Sequence, residues 1–238
     1  MTKGIFVTAT DTEVGKTFVS CLIARGFMSR GVQTTVVKPV ATGGQKIGGR
    51  LVSPDSIFLK KHVPLDAAYH EINPLCLKAA LAPSVAARIE KRKISIPCIL
   101  NAVRALQEEY EFLVVEGIGG VDVPIAGDYL VRDLIRDVGF PALIVARPAL
   151  GTINHTLLTV NELSRNGIEV AGIVINQAKG SKSGLAGKTS PAVIGGISGV
   201  PVLCEVPFMK NINGGRAQAA GERLYAALAG SRVMKQRA

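Results

Sequence analysis

The chain has 238 residues and a formal net charge of +10, with 47% hydrophobic residues, 5% aromatic residues and no tryptophan. The hydrophobic share is enough for a buried core and excludes a disordered tail, while so few aromatic rings weigh against a stacking platform for single-stranded nucleic acid. The basic excess is scattered over Lys60-Lys61, Lys91-Arg92-Lys93, residues 179–188 and residues 232–237. It forms no basic helix with base-reading side chains, so it reads as a solvated surface with an anionic small-molecule substrate and no nucleic-acid partner. Cys21, Cys76, Cys98 and Cys204 are far apart with no C-x-x-C pair, the pattern of reduced thiols in a cytoplasmic protein. The first strand begins within a few residues, so no signal peptide is expected. No apolar run approaches the ~18 residues of a membrane span.

In chain order, the apolar run at 4–9 predicts a strand, residues 8–17 a tight loop, and 18–27 a helix that ends near Arg30 with Gly31 as its cap. A strand leading through Gly15-Lys16-Thr17 into a helix is a phosphate cradle, because N–H groups at the helix start and the helix dipole both face an anion. It departs from G-x-x-x-x-G-K-[ST] in having Thr10 at the first glycine position. Lys16 is placed to reach the outer phosphates and the Thr17 hydroxyl to hold magnesium. The cradle predicts a nucleoside triphosphate ligand.

Further strands are predicted at 34–38, 112–116, 141–146, 170–176 and 202–206. Their runs of Val, Ile and Leu are continuous instead of alternating, as in strands covered on both faces. Helices are predicted at 56–61, from Pro83-Ser84 through Arg88, after His155, and from Ser190-Pro191 as N-cap and first-turn proline. Alternating strands and helices imply one α/β domain over residues 1–238, with a doubly wound, mainly parallel sheet and helices on both faces. The Gly-, Ser- and Lys-rich residues 179–187 are expected to be a mobile loop, and 231–238 a frayed tail.

Ligands of such sheets bind at the carboxyl ends of the strands. There the second strand ends in Lys38, suited to neutralise a phosphoryl group in transit, and Thr42 follows in a Gly-rich turn. The third ends in Glu116, an acid where magnesium is held in such folds, followed by Gly117-Ile118-Gly119-Gly120, which lets the backbone approach a ligand. Asp55 reads equally as a second magnesium ligand or as the cap of the helix at 56–61. Gly151-Thr152 before a helix start offers free N–H groups for a carboxylate. The amides of Asn176-Gln177 at the fifth strand end could read a nucleobase edge. His62, His70 and His155 read as structural.

Together these segments resemble the dethiobiotin synthetases. The family cradle is roughly G-T-D-T-x-V-G-K-T, and here residues 9–17 read A-T-D-T-E-V-G-K-T. The blocks K-P-V-A-T-G (38–43), E-G-I-G-G (116–120) and L-G-T-I-N-H (150–155) follow in order, with Asn73-Pro74, Ala82-Pro83-Ser84 and the Asn176 strand end. The resemblance implies conversion of 7,8-diaminononanoate, CO2 and ATP to dethiobiotin through a phosphorylated carbamate, with magnesium as cofactor and a homodimer that shares its substrate site. It places Lys16 and Lys38 on the carbamate and phosphoryl group, Thr12 and Thr42 near the substrate, and Thr17, Asp55 and Glu116 on the metal. Glu13, Val14, Gly15, Lys16, Thr17 and Phe18 wrap the phosphates. Asp55, the 116–119 segment, Asn176, Gln177 and the Val206-Pro207 edge complete the nucleotide site, while residues 151–154 (Gly151, Thr152, Ile153, Asn154) take the substrate carboxylate. Ala9 and Gln177 depart from the family pattern.

Two other classes also carry such a cradle. The deviant P-loop partitioning ATPases usually have a second lysine early in it, where this chain has Asp11-Thr12-Glu13. The corrin-amidating synthetases need a glutaminase domain, for which no length remains after residue 207.

Overall fold

A computed structural model describes residues 3–180 and 184–230. In chain order its elements are β1 (Lys3–Ala9), α1 (Lys16–Met28), β2 (Thr34–Val37), β3 (Val40–Ala41), β4 (Gln45–Ile47), β5 (Arg50–Val52), α2 (Pro54–His62), α3 (Tyr69–Ile72), β6 (Leu75–Cys76), α4 (Pro83–Ile89) and α5 (Ile96–Glu109). Then come β7 (Phe112–Glu116), β8 (Pro124–Ala126), β9 (Tyr129–Leu130), α6 (Val131–Val138), β10 (Ala142–Ala146), α7 (Thr152–Arg165), β11 (Val170–Asn176), α8 (Leu185–Ser198), β12 (Val202–Val206) and α9 (Gly215–Ala229).

The six strands expected from apolar runs form one sheet in the order β12-β11-β10-β1-β7-β2, paired in parallel throughout. Every residue of β2, β7 and β10 is buried, which explains the missing polar alternation: both faces are covered. One face packs Leu22, Phe27, Leu224 and Leu228 of α1 and α9. The other packs Val103 and Leu106 of α5, Leu134 of α6, Leu163 of α7 and Ile194 of α8. Because β7 separates β1 from β2 while β10 lies on the other side of β1, successive connections diverge around β1. The crevice at that switch point, outside the carboxyl ends, is where ligands bind in doubly wound sheets. The cradle after β1 therefore opens into it.

Helices α1 and α9 cross where two glycines meet. A Cβ on Gly26 would lie 2.3 Å from the Gly221 carbonyl oxygen, a backbone atom that cannot swing aside. Gly26→Ala should therefore destabilise the chain by about 1–3 kcal/mol, the usual cost of overpacking a core. Denaturant unfolding checks this, and unchanged stability would mean that the crossing can open.

Two expectations need correction. Residues 185–187 belong to α8 and are not loop; residues 181–183, like the 231–238 tail, lie outside the described residues. Ser190-Pro191 does not open a helix, since Pro191 lies inside α8, which begins six residues before it. The reason is packing: Gly187, Ser190, Pro191 and Ile194 all lie on the buried side. An internal proline gives up the hydrogen bond to the carbonyl four residues back, here that of Gly187, and the burial of this side of α8 offsets the loss. Among the described residues, no helix is long and apolar enough to cross a membrane.

Candidate functional site

The cradle is shaped by residues with left-handed backbone. Glu13 has φ 56° and Gly15 φ 90°, whereas Val14 between them does not have positive φ. Alternation of this kind turns successive N–H groups into an anion-binding concavity. Its φ favours glycine at position 15, and a Cβ there would also lie 2.2 Å from Asn176 Nδ2, whose amide is held by the Val14 carbonyl. Glu13 meets no such clash; its side chain is exposed and 3.5 Å from Lys179. Ala9, at the family's first glycine, is buried without positive φ, so its methyl is accommodated. Thr12 is exposed, and its N–H donates to Asp11 Oδ1 at 2.7 Å. Asp11 in turn pairs with Arg147, just past β10, which ties the cradle to the neighbouring strand end.

Lys16 opens α1 and is 8% exposed. Its Nζ donates to the Gly119 carbonyl at 3.1 Å and lies 3.5 Å from the Asp11 carbonyl. Burial, and next the Lys38 charge, pull this ammonium down to about 8. An arriving phosphate would oppose both effects, so the side chain is primed for an anion.

Lys38 is 2% exposed and not the surface residue that a strand end usually offers. Its Nζ lies 2.7 Å from Glu116 Oε1 and 2.8 Å from Asp55 Oδ2, and donates to the Gly117 carbonyl at 2.9 Å. Burial acts to lower the Lys38 pKa, and the Glu116 and Asp55 carboxylates outweigh it, raising the ammonium above its ordinary value. Burial conversely acts to raise Asp55, and Lys38 outweighs it, holding the carboxyl below the usual range. Asn73 fixes the lysine's backbone by donating to the Lys38 carbonyl at 2.7 Å and to that of Leu75 at 2.9 Å.

Thr17, Asp55 and Glu116 converge. The Thr17 hydroxyl lies 2.8 Å from Glu116 Oε1 and 3.1 Å from Asp55 Oδ1. The helix-cap reading of Asp55 does not hold: Ser53 caps α2, its Oγ accepting from Ser56 N–H, and Asp55 in the first turn is left to face Thr17 and Lys38. Two carboxylates, a hydroxyl and room for phosphate oxygens are a set that suits magnesium, which favours one or two carboxylates with substrate phosphates. Glu116 Oε2 fits this as well, being buried with no hydrogen-bond partner. Among the described residues, no three His, Cys, Asp or Glu side chains gather as a separate metal site.

A cleft of about 350 Å³ extends from Gly15 and Thr17 past Phe18 and Asp55 to Asn176, Gln177 and Pro207. Val206, the last residue of β12, is buried behind Pro207, and the Gln177 N–H donates to its carbonyl at 2.9 Å. Asn176 is less free to read a base than its position suggests, since its Nδ2 donates to the Val14 carbonyl at 2.7 Å and braces the cradle. Sequence reasoning missed the apolar walls supplied by Phe58, Phe208 and Met209. The signal was available: Phe58 lies one helical turn after Asp55, and Phe208-Met209 directly continue the Val206-Pro207 edge. Gly117 and Gly119 turn their carbonyls to the two lysines, and Ile118 between them packs on the core.

Thr42 is half-buried beside Gly43, whose φ is 73°. Gly151, at φ 89°, turns the chain into α7, where Thr152 is buried and Asn154 exposed. The Thr152 N–H is already used, donating to the Ala149 carbonyl at 3.1 Å, which leaves the amides of Ile153 and Asn154 facing outward from the helix start. No hydrogen bond or ion pair joins residues 151–154 to Lys16, Lys38, Asp55 or Glu116 among the described residues.

A family model described as an AAA domain matches residues 3–216. The ATP-dependent dethiobiotin synthetase BioD of Thermodesulfovibrio yellowstonii is 39% identical over 220 residues, covering 90% of this chain and 92% of the relative. The chain belongs to the dethiobiotin synthetase family. The synthetase of Bacillus subtilis strain 168 is 38% identical over 88% of this chain and 89% of its own, and that of Methanococcus vannielii 44% identical over 72% and 78%. The fold is shared more widely than the family. The cell-division ATPase MinD of Pyrococcus furiosus aligns with a TM-score of 0.57 at 16% identity, covering 96% of this chain and 98% of its own, and a ParA-family ATPase of Chlorobium tepidum with 0.51 at 12%, covering 98% and 95%. At such identities the likeness is one of fold alone, and it does not favour the partitioning reading over the synthetase family.

Proposed function

We infer that this dethiobiotin synthetase family member carboxylates 7,8-diaminononanoate with CO2 and closes the ureido ring at the expense of ATP. One observation supports this most: Lys38, Asp55 and Glu116 gather at Thr17 at the mouth of the cradle, with Lys16 close enough to feel all three charges. Two cations and two anions meet there within reach of a γ-phosphate.

One amine of the substrate takes up CO2 and loses a proton to give a carbamate. A carbamate oxygen attacks the γ-phosphorus, ADP leaves, and the second amine displaces phosphate from the carbonyl carbon to close the ring. The chain's part is positioning and charge compensation, which are the main levers in phosphoryl transfer. Lys16 and Lys38 face the carbamate and the transferring oxygens, and the N–H groups of residues 13–18 hold the β- and γ-phosphates. Thr12 and Thr42 orient the amines. A magnesium ion held by Thr17, Asp55 and Glu116 would neutralise charge on the phosphates. The apolar walls of Phe58, Phe208 and Met209, with Gln177 and Pro207, take the base.

The test is incorporation of labelled carbon. With 13C-bicarbonate, the diamine, ATP and magnesium, the product should be heavier by one label at the ureido carbonyl. Turnover without label uptake would exclude the carboxylation.

We place the protein in the cytoplasm as a homodimer sharing its substrate site. Leu150, just before the 151–154 turn, and Leu158, on α7, are 94% and 59% exposed, which suits a covered face. An extended substrate can then put its amines near Lys38 of one subunit and its carboxylate at Ile153 and Asn154 of the other. Hybrid dimers check this. A Lys38→Ala chain and a Gly151→Val/Asn154→Asp chain should each be nearly inactive, because each removes one end of every site. In mixed dimers, one site carries both defects and the other neither, so equal mixing should restore roughly a quarter of wild-type sites. No recovery, with hybrids confirmed by tagged co-purification, would mean that each subunit holds its substrate alone.

A further inference from the structure

An ammonium group has three hydrogens to donate, and Lys38 has three acceptors around it: Glu116 Oε1 at 2.7 Å, Asp55 Oδ2 at 2.8 Å and the Gly117 carbonyl at 2.9 Å. With its hydrogens so engaged and its side chain buried, Lys38 has none left for a phosphoryl group or a carbamate. The same two carboxylates face the Thr17 hydroxyl, at 2.8 Å from Glu116 and 3.1 Å from Asp55. Glu116 Oε2 is buried without a partner, so the ammonium leaves part of this anionic seat unused. A magnesium ion would draw on the same two carboxylates, and its double positive charge repels an ammonium held against them in this buried site.

We propose that Lys38 is the resident cation of the seat formed by Thr17, Asp55 and Glu116, and that metal and lysine occupy it by exchange. Arrival of the metal then frees the Lys38 ammonium to turn toward the reacting phosphoryl group. Without metal the catalytic lysine is held idle against the metal's own ligands. This proposal rests on the reading that these three residues take the metal.

Manganese(II) binding to the nucleotide-free protein, followed by electron paramagnetic resonance, tests the exchange. Lys38→Met removes the competing ammonium and keeps the alkyl chain, so it should bind manganese at least about tenfold more tightly than wild type. Lys16→Met removes a nearby charge that does not touch the carboxylates, and should change affinity less than about threefold. Equal or weaker binding by Lys38→Met would overturn the proposal, as would an equal effect of Lys16→Met.

Because Lys38→Met leaves Glu116 buried without its cation and could fail to fold, the exchange is also read in the unaltered chain. Brief acetic anhydride labelling, read by mass spectrometry, should find Lys38 several-fold more reactive with saturating manganese, while Lys60, outside the site, stays constant. Unchanged or reduced Lys38 labelling would overturn the exchange. Manganese–ATP binding separates the two levels of the argument. If Glu116→Gln abolishes it while Lys38 shows neither effect, the metal seat stands and the exchange falls. If Glu116→Gln binds manganese–ATP like wild type, both fall.

Discussion

Lys38→Ala should lower kcat by about 100- to 1,000-fold, the usual loss when one preorganised charge donor to a transition state is removed. The dissociation constant for ATP should change much less, because the interaction is made mainly in the transition state. The structure adds a control that position alone would not suggest. Lys38 is 2% exposed and balances Glu116 and Asp55, and breaking a buried pair typically costs about 3–5 kcal/mol. Circular dichroism and a denaturation curve must therefore accompany the kinetics. Folded protein with normal ATP binding and little turnover is the expected result. Collapse of ATP binding in a folded variant would make Lys38 a nucleotide ligand instead.

Asp55→Ala and Glu116→Gln should each raise the magnesium concentration needed for half-maximal activity by at least about tenfold, since even outer-shell partners of a metal are worth 10–100-fold. The cap observed at Ser53 sharpens the comparison. Ser53→Ala should cost about 1 kcal/mol of stability, the typical worth of an N-cap, and leave the magnesium requirement close to wild type. Asp55→Ala should do the reverse. A large loss of melting temperature for Asp55→Ala, with unchanged magnesium dependence, would restore the helix-cap reading.

The sheet was legible in the sequence because its strands are buried on both faces. A run such as Leu113-Val114-Val115 has few alternatives once polar residues are absent from both sides of the strand. The cradle and the edge residues were legible for the same topological reason, since ligands meet at the carboxyl ends. What escaped depends on tertiary context. The β4–β5 hairpin turns on Gly48 and Gly49, both with positive φ, and delivers Ser53 and Asp55 to the site; its strands are too short to stand out by pattern. Helices α5 and α9 likewise went unremarked. Pro191 misled because an internal proline is normally disfavoured, and the burial of that side of α8 is a tertiary effect that no spacing reveals. Lys38 was expected to point at substrate, and its engagement with both carboxylates is a matter of three-dimensional distance that no spacing reveals. The same holds for Asn176, whose amide reaches across 162 residues to the Val14 carbonyl.

The central claim is that triphosphate cleavage is coupled to the diamine and CO2, and phosphate release measures this most directly. With ATP and magnesium alone, the rate should be low. It should rise when 7,8-diaminononanoate and bicarbonate are both present, and stay low when either is omitted. ATP should be compared with other triphosphates in the same assay, since the Phe58, Phe208 and Met209 walls are apolar. Release at the same rate with and without the diamine would contradict the account and return the chain to the class of uncoupled P-loop ATPases.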